Sequence, residues 1–160
     1  MKGAGLAVAL AALAGCGKES APAASGTVSG AVTGTAWNRL ASAFWIGKAS
    51  APPPVAFLFL LESPTSCAAL VHANWDKFIG NEQVLEIELR DTSARGFRVP
   101  GEASAAYLRG EYNPDADGGS VTVSEVTPGQ SLAGSFDLTF AGDALRGSFQ
   151  AGYCPDGVEP

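Results

Sequence analysis

Histidine is almost missing from this sequence: His72 is the single one among 160 residues. A hydrolase that uses an imidazole base has only that residue to draw on, and no Gly-x-Ser-x-Gly turn accompanies it. On a short helix His72 needs no catalytic role, so the expectation is a protein that is not an enzyme. Charge is scarce as well. Only 16% of residues are charged, and 10 Lys and Arg stand against 16 Asp and Glu, a net charge of −6. The pI is near 4.6. Such a chain lacks the basic patch that phosphate contacts need, which excludes nucleic acid as the expected partner. It also excludes an electrostatic grip on anionic lipid. The N-terminal apolar run, Ala4 to Ala12, falls short of the roughly 20 residues that cross a bilayer as a helix. Cysteine is limited to three residues, Cys16, Cys67 and Cys154. With one histidine and two distant cysteines, a zinc site is not expected.

What is present begins with Met1-Lys2-Gly3, a short positive start, followed by the apolar run and by small residues. That is the form of a secretory signal. Leu13-Ala14-Gly15-Cys16 resembles the lipobox of bacterial lipoproteins. The resemblance implies that residues 1–15 are a signal peptide removed on export. It also implies that the Cys16 thiol takes a diacylglyceryl group, and in that family the new amino group is often acylated too. One acyl chain anchors marginally, whereas two or more hold a protein on a membrane for long periods. Gly17 follows the cysteine where Asp would signal inner-membrane retention in enterobacterial lipoproteins, so the expected location is the outer membrane. The side of that membrane stays open. Residues 16–25 then read as lipidated Cys plus tether, because a small, polar segment cannot bury enough surface to order itself.

With Cys16 taken by lipid, Cys67 and Cys154 read as one disulfide in an oxidising compartment, the alternatives being free thiols or a metal pair. The closing pattern Gly-Ser-Phe-Asp…Leu-Arg-Gly-Ser-Phe-Gln-Ala-Gly-Tyr-Cys is similar to that of small myxobacterial lipoproteins. So is the position of Cys67 after the apolar stretch Val55–Leu61. This resemblance implies a Cys67–Cys154 bond and supplies no activity.

Residues 26–160 read as a single β domain. Strands are expected at Gly26–Val32, Leu40–Ile46, Val55–Leu61, Gln83–Asp91, Gly96–Val99 and Ala105–Tyr112, and around Val121, Val123 and Val126. Val55–Leu61 is almost wholly apolar, as in a central strand buried on both faces. Gln83–Asp91 alternates: Leu85, Ile87 and Leu89 face one way, and Val84, Glu86, Glu88 and Arg90 the other, as in a half-buried strand. Leu132, Phe136, Leu138 and Phe140 lead through a turn at residues 141–144 to Leu145, Phe149 and Tyr153. The arms Leu-Ala-Gly-Ser-Phe (132–136) and Leu-Arg-Gly-Ser-Phe (145–149) echo each other, as two strands meeting one core can. Ser66 is placed to cap one short helix over residues 66–75. The fold class is therefore all-β, an antiparallel β-sandwich or small β-barrel with one short helix.

Three groups of residues invite a functional reading. Glu86 and Glu88 share a strand face, as a hydrolase dyad might, but outward charges on a strand are usually solvated. Asn113, Asp115 and Asp117, with Gly118, place oxygen side chains at alternate positions, like the first half of an EF-hand loop. The match fails at Ser124, where the bidentate Glu belongs. The favoured reading is a polar turn, with a structural calcium site as the alternative and no other cofactor expected. Trp37, Trp45 and Trp75, with Phe44, Phe57 and Phe59, cluster in the N-terminal half. These aromatics read first as core. Trp45, Phe57 and Phe59 are the candidates to line a cavity for a lipid or other hydrophobic molecule. The expected function is that of a membrane-anchored envelope lipoprotein with a binding or structural role toward an envelope protein or polymer. The alternative is a small-ligand carrier.

Overall fold

A computed structural model of the chain describes residues 25–48, 55–72 and 82–155. The described residues are nearly all β, and their strands form a nearly closed, barrel-like sheet with one short helix. The strands are β1 (Ser25–Val32), β2 (Thr35–Trp37), β3 (Ser42–Lys48), β4 (Val55–Leu61), β5 (Val84–Leu89), β6 (Gly96–Val99), β7 (Ala103–Leu108), β8 (Gly118–Thr127), β9 (Ser131–Phe140) and β10 (Asp143–Tyr153); helix α1 covers Cys67–His72. The path around the sheet is β6-β8-β9-β10-β3-β4-β5-β7, with β1 also on β10 and β2 on β1. Pairing is antiparallel except between β10 and β3, where Gly152 and Tyr153 run parallel to Phe44 and Trp45. Strand β10 has this double use because it is long. Its central residues take β1 along one edge, from Ser25↔Gln150 to Gly30↔Leu145, and its last residues continue past β1 to reach β3.

The inside of the sheet follows from alternation. Cross-strand rows put Trp45, Leu58, Ile87 and Ala105 side by side, and Leu60, Leu85 and Tyr107 in the next inward row. These residues belong to the main core, with Trp37, Phe97, Phe136, Leu138, Phe140 and Phe149. Rings meet across it: Trp37 and Phe140 each present an edge contact to Tyr107, at 6.2 and 6.5 Å between centroids. Burying each such ring stabilises the fold by roughly 1.5–3 kcal/mol.

The outward face of β3, β4, β5 and β7 departs from expectation. Gln83–Asp91 reads as half-buried, yet Val84 on the outward side is fully buried, and Glu86 and Glu88 are half-buried. The row Phe44, Phe59, Glu86, Ala106 explains it. Phe44, Ile46, Phe59, Leu61, Val84, Leu108 and Cys154 form a second apolar cluster, with Phe57, Cys67 and Ala106 packed against it. Strand β3 is thus buried on both faces, like β4.

Helix α1 opens as its sequence indicates: the Ala69 N–H donates to the Ser66 Oγ at 3.1 Å. That satisfies one of the donors a helix leaves unpaired at its start. The described helix ends at His72; the remainder of the expected 66–75 segment, Trp75 included, lies outside the described residues. Cys67 and Cys154 are bonded, Cα to Cα 5.6 Å, across 87 residues of sequence. Closing a loop of that length removes denatured-state entropy equivalent to about 4–5 kcal/mol in the chain-entropy model.

Candidate functional site

The acidic loop between β7 and β8 has a structural use. Strand β7 ends at Leu108, four residues earlier than its sequence pattern indicates. The chain then turns back, and the segment after Tyr112 lies along the outer edge of β7. Tyr107 N–H donates to the Pro114 carbonyl at 3.0 Å, Ala116 N–H to the Ala105 carbonyl at 2.8 Å, and Asp115 bridges Ala106. One residue on, the loop grips the far side of the sheet. Asp117 N–H donates to the Thr139 carbonyl at 2.9 Å. The Asp117 carboxylate accepts from Thr139 Oγ1 at 2.6 Å and from the Ala141 N–H at 2.7 Å. These two bonds, the hydroxyl first, hold the Asp117 carboxyl below its usual pKa. The loop is a seam joining β7 to the β9–β10 turn. Asp117 directs its oxygens to Thr139 and Ala141, while Asn113 and Asp115 are exposed at separate points along the edge. No group of three or more His, Cys, Asp or Glu side chains poised around a cation occurs among the described residues.

The three rings proposed to line a cavity do not converge. Trp45 lies in the main core, where its indole packs on Tyr153 at 4.8 Å; Phe57 and Phe59 belong to the outer cluster. Alternation forces this split, because Trp45 pairs with Leu58 and not with its neighbours. Glu86 and Glu88 do share a face. Glu88 accepts from Ser104 Oγ at 3.3 Å. Burial, then the charge of Glu88, raises the Glu86 carboxyl above its usual pKa.

The feature with the geometry of a binding cleft lies between two turns, at none of the residues that the sequence marks as candidates. Thr33, Thr35, Tyr107, Arg109 and Tyr112 line a cavity of about 400 Å³. Its first wall is the two-residue turn between β1 and β2. Thr33 and Gly34 both have positive φ, 48° and 78°, the backbone of a tight hairpin turn. Asp143 fastens this turn by accepting from the Gly34 N–H at 2.8 Å. The opposite wall is a second turn in which Arg109 and Tyr112 exchange both backbone hydrogen bonds, at 3.0 and 3.2 Å. Arg109 Nη1 spans the cleft to Thr35 Oγ1 at 3.1 Å.

Tyr107 forms the buried floor and donates through its hydroxyl to Gln83 Oε1 at 2.9 Å. Gln83 in turn donates to Ala36 O at 3.3 Å and Glu62 Oε2 at 3.1 Å, so a buried amide ties β2, β7 and the residue that follows β4 together beneath the cleft. Burial raises the Tyr107 phenol above its usual pKa despite the opposing pull of Arg109. The sequence signal for this cleft is faint: a Gly after Thr33 and another after Arg109. Neither indicates that the two turns meet.

Compared with known proteins, the chain matches no family model, no curated protein and no solved structure. Among the described residues no helix is long and apolar enough to cross a membrane.

Proposed function

We propose that this chain is a lipid-anchored protein of the bacterial cell envelope whose β domain binds rather than catalyses, and does so with its outer surface. The observation that carries the reading is the pairing of Cys67 with Cys154. It leaves Cys16, in Leu-Ala-Gly-Cys, as the remaining cysteine, and a disulfide belongs to an exported chain. A signal peptide at residues 1–15, lipidation of Cys16 and an outer-membrane location follow from the same reading, as does kinship with the small myxobacterial lipoproteins. The segment between Cys16 and β1 spans at most about 30 Å when extended, so the domain works close to the membrane surface.

Surface binding is favoured over an internal carrier role because the inside of the sheet is occupied by contacting rings, with Trp37, Tyr107 and Phe140 in sequence. The expected partner is an envelope protein or polymer. The test is fractionation of cells expressing the wild type and Cys16→Ser. The wild type should sediment with membranes and carry the mass of two or three acyl chains. Cys16→Ser should appear in the soluble fraction. A Cys16→Ser protein that stays on membranes, or a wild type without lipid, overturns the anchor. A hydrolytic activity lost on His72→Ala overturns the binding role.

A further inference from the structure

We propose that the cleft between the β1–β2 turn and the Arg109–Tyr112 turn binds an acidic sugar, a pyranose ring carrying a carboxylate. The proposal rests on the reading of the domain as a binding module and is independent of the lipid anchor. Its volume, about 400 Å³, lies within the roughly 300–1,000 Å³ of small-molecule sites.

The lining selects the ligand class. A guanidinium carries five N–H donors; that of Arg109 donates from Nη1 to the neutral Thr35 hydroxyl and also faces the neutral Tyr107 phenol on the cleft floor, which leaves donors over. By contrast, Arg95 is engaged by Asp91 and Glu102, and Arg146 by Asp137. Arg109 therefore offers donors in fork geometry to an incoming pair of oxygens. One guanidinium balances one negative charge, which suits a carboxylate better than a phosphate of about −1.5 to −2 in a chain of net charge −6.

The other groups require more than a bare acid. Thr35 Oγ1 accepts from Arg109 and keeps its proton to donate. Thr33 Oγ1 donates to the Val32 carbonyl at 2.9 Å and keeps lone pairs to accept. A donor and an acceptor thus face the cleft, matching ring hydroxyls. Tyr112 is 48% exposed, the one large hydrophobic so exposed among the described residues. Its ring offers a flat apolar face at the rim. A hydrocarbon ligand would leave the guanidinium and hydroxyls desolvated and unpaired, which disfavours it. A planar aromatic acid would satisfy Arg109 and leave both threonines idle.

The cleft is also built at a cost. Thr33 holds φ of 48°, a conformation a β-branched residue rarely adopts, and Asn or Gly would take it freely. Such strain persists where the surroundings over-determine it and clusters at ligand clamps. Here it sets a hydroxyl at the rim. Opposite, Gly110 with φ of 62° closes the turn that holds Arg109 and Tyr112 side by side.

The test is calorimetric titration of the full-length protein in non-ionic detergent with glucuronate, with glucose and inorganic phosphate as controls. Glucuronate should bind at least about tenfold more tightly than glucose, the worth of one hydrogen-bonded charge. Arg109→Gln should abolish that preference, and Tyr112→Ala should weaken both sugars, while each variant melts within a few degrees of wild type. A galacturonate trimer that binds more tightly than galacturonate identifies a polymer as the source; equal affinity identifies a single sugar unit. Equal binding of glucose and glucuronate, an unaltered affinity in Arg109→Gln, or no heat with either sugar overturns the proposal. Phosphate that displaces glucuronate at equal concentration overturns the sugar assignment. Since no membrane takes part, failure here is distinct from failure of the anchor.

Discussion

Adding one methyl group at Gly147 should destabilise this domain more than any other small change on β10. Gly147 pairs with Phe136, and Gly134 on β9 pairs with Phe149. Each phenylalanine ring therefore lies over the glycine of the other strand. A Cβ at Gly147 would stand 2.0 Å from the Thr27 carbonyl oxygen and 2.7 Å from Phe136 Cζ; at Gly134 it would stand 2.1 Å from the Thr122 oxygen and 2.8 Å from Phe149 Cζ. Phe136 could turn aside, but Thr27 is backbone in a paired strand, so the sheet itself has to move. Overpacking of this kind costs roughly 1–3 kcal/mol, and a clash with backbone belongs at the upper end. Gly96 is the control: it lies exposed with nothing within 4 Å of its would-be Cβ. Gly96→Ala should be neutral or stabilise by up to about 1 kcal/mol through the unfolded chain. Urea unfolding separates the two. With a slope near 2 kcal/mol/M, Gly147→Ala should lower the midpoint by about 1.5 M with the slope unchanged. A Gly147→Ala midpoint equal to that of Gly96→Ala would refute the idea that the ring-over-glycine pairs are needed for close strand approach.

Two further outcomes concern pH. The Asp117 carboxyl has its pKa lowered by Thr139 and Ala141, so its contribution is complete above the unfolded carboxylate pKa of about 3.9 and is lost as pH falls through the lower folded value. Asp117→Ala should melt below wild type at pH 7, and the gap should shrink at pH 2.5; an equal gap at both would refute the seam role of the charge. Glu86 runs the other way. Its pKa is raised by burial and by Glu88, so its charged form is penalised in the fold above that raised value, and the penalty vanishes below about pH 4. Glu86→Gln should raise the melting temperature at pH 7 and leave it unchanged at pH 3.5. A lower melting temperature at pH 7 would show the carboxylate to be favourably held.

Much of the β fold is visible in local pattern. The apolar run Val55–Leu61, the alternation of Val84–Leu89 and the two echoing arms each specify a strand, because a pleated chain shows its faces every second residue. The echo itself has a reason in the pairing: antiparallel arms in this register set each Gly opposite the other arm's Phe. The Ser66 cap is equally local. Strand β2 was not legible, since three residues carry no period. Nor was the outer apolar cluster. Phe44, Phe57 and Phe59 belong together only because β3 and β4 pair as Phe44↔Phe59 and Ile46↔Phe57.

The candidate sites divide in the same way. Asn113, Asp115 and Asp117 have the spacing of a cation loop, and nothing local says that Asp117 closes the sheet; Thr139 and Ala141, its partners, are more than twenty residues away. Trp45, Phe57 and Phe59 are close in sequence and pairing yet split between two faces by alternation. The cleft needs Thr33 and Thr35 from one hairpin and Arg109 and Tyr112 from a turn more than seventy residues on. By itself the sequence determined most of the strands and the helix cap, which depend on near neighbours alone. The nearly closed, barrel-like curl of the sheet, the sharing of β10 between β1 and β3, and the meeting of two turns around Arg109 were decided by tertiary structure. These depend on register between distant strands, and register is a property of the assembled sheet.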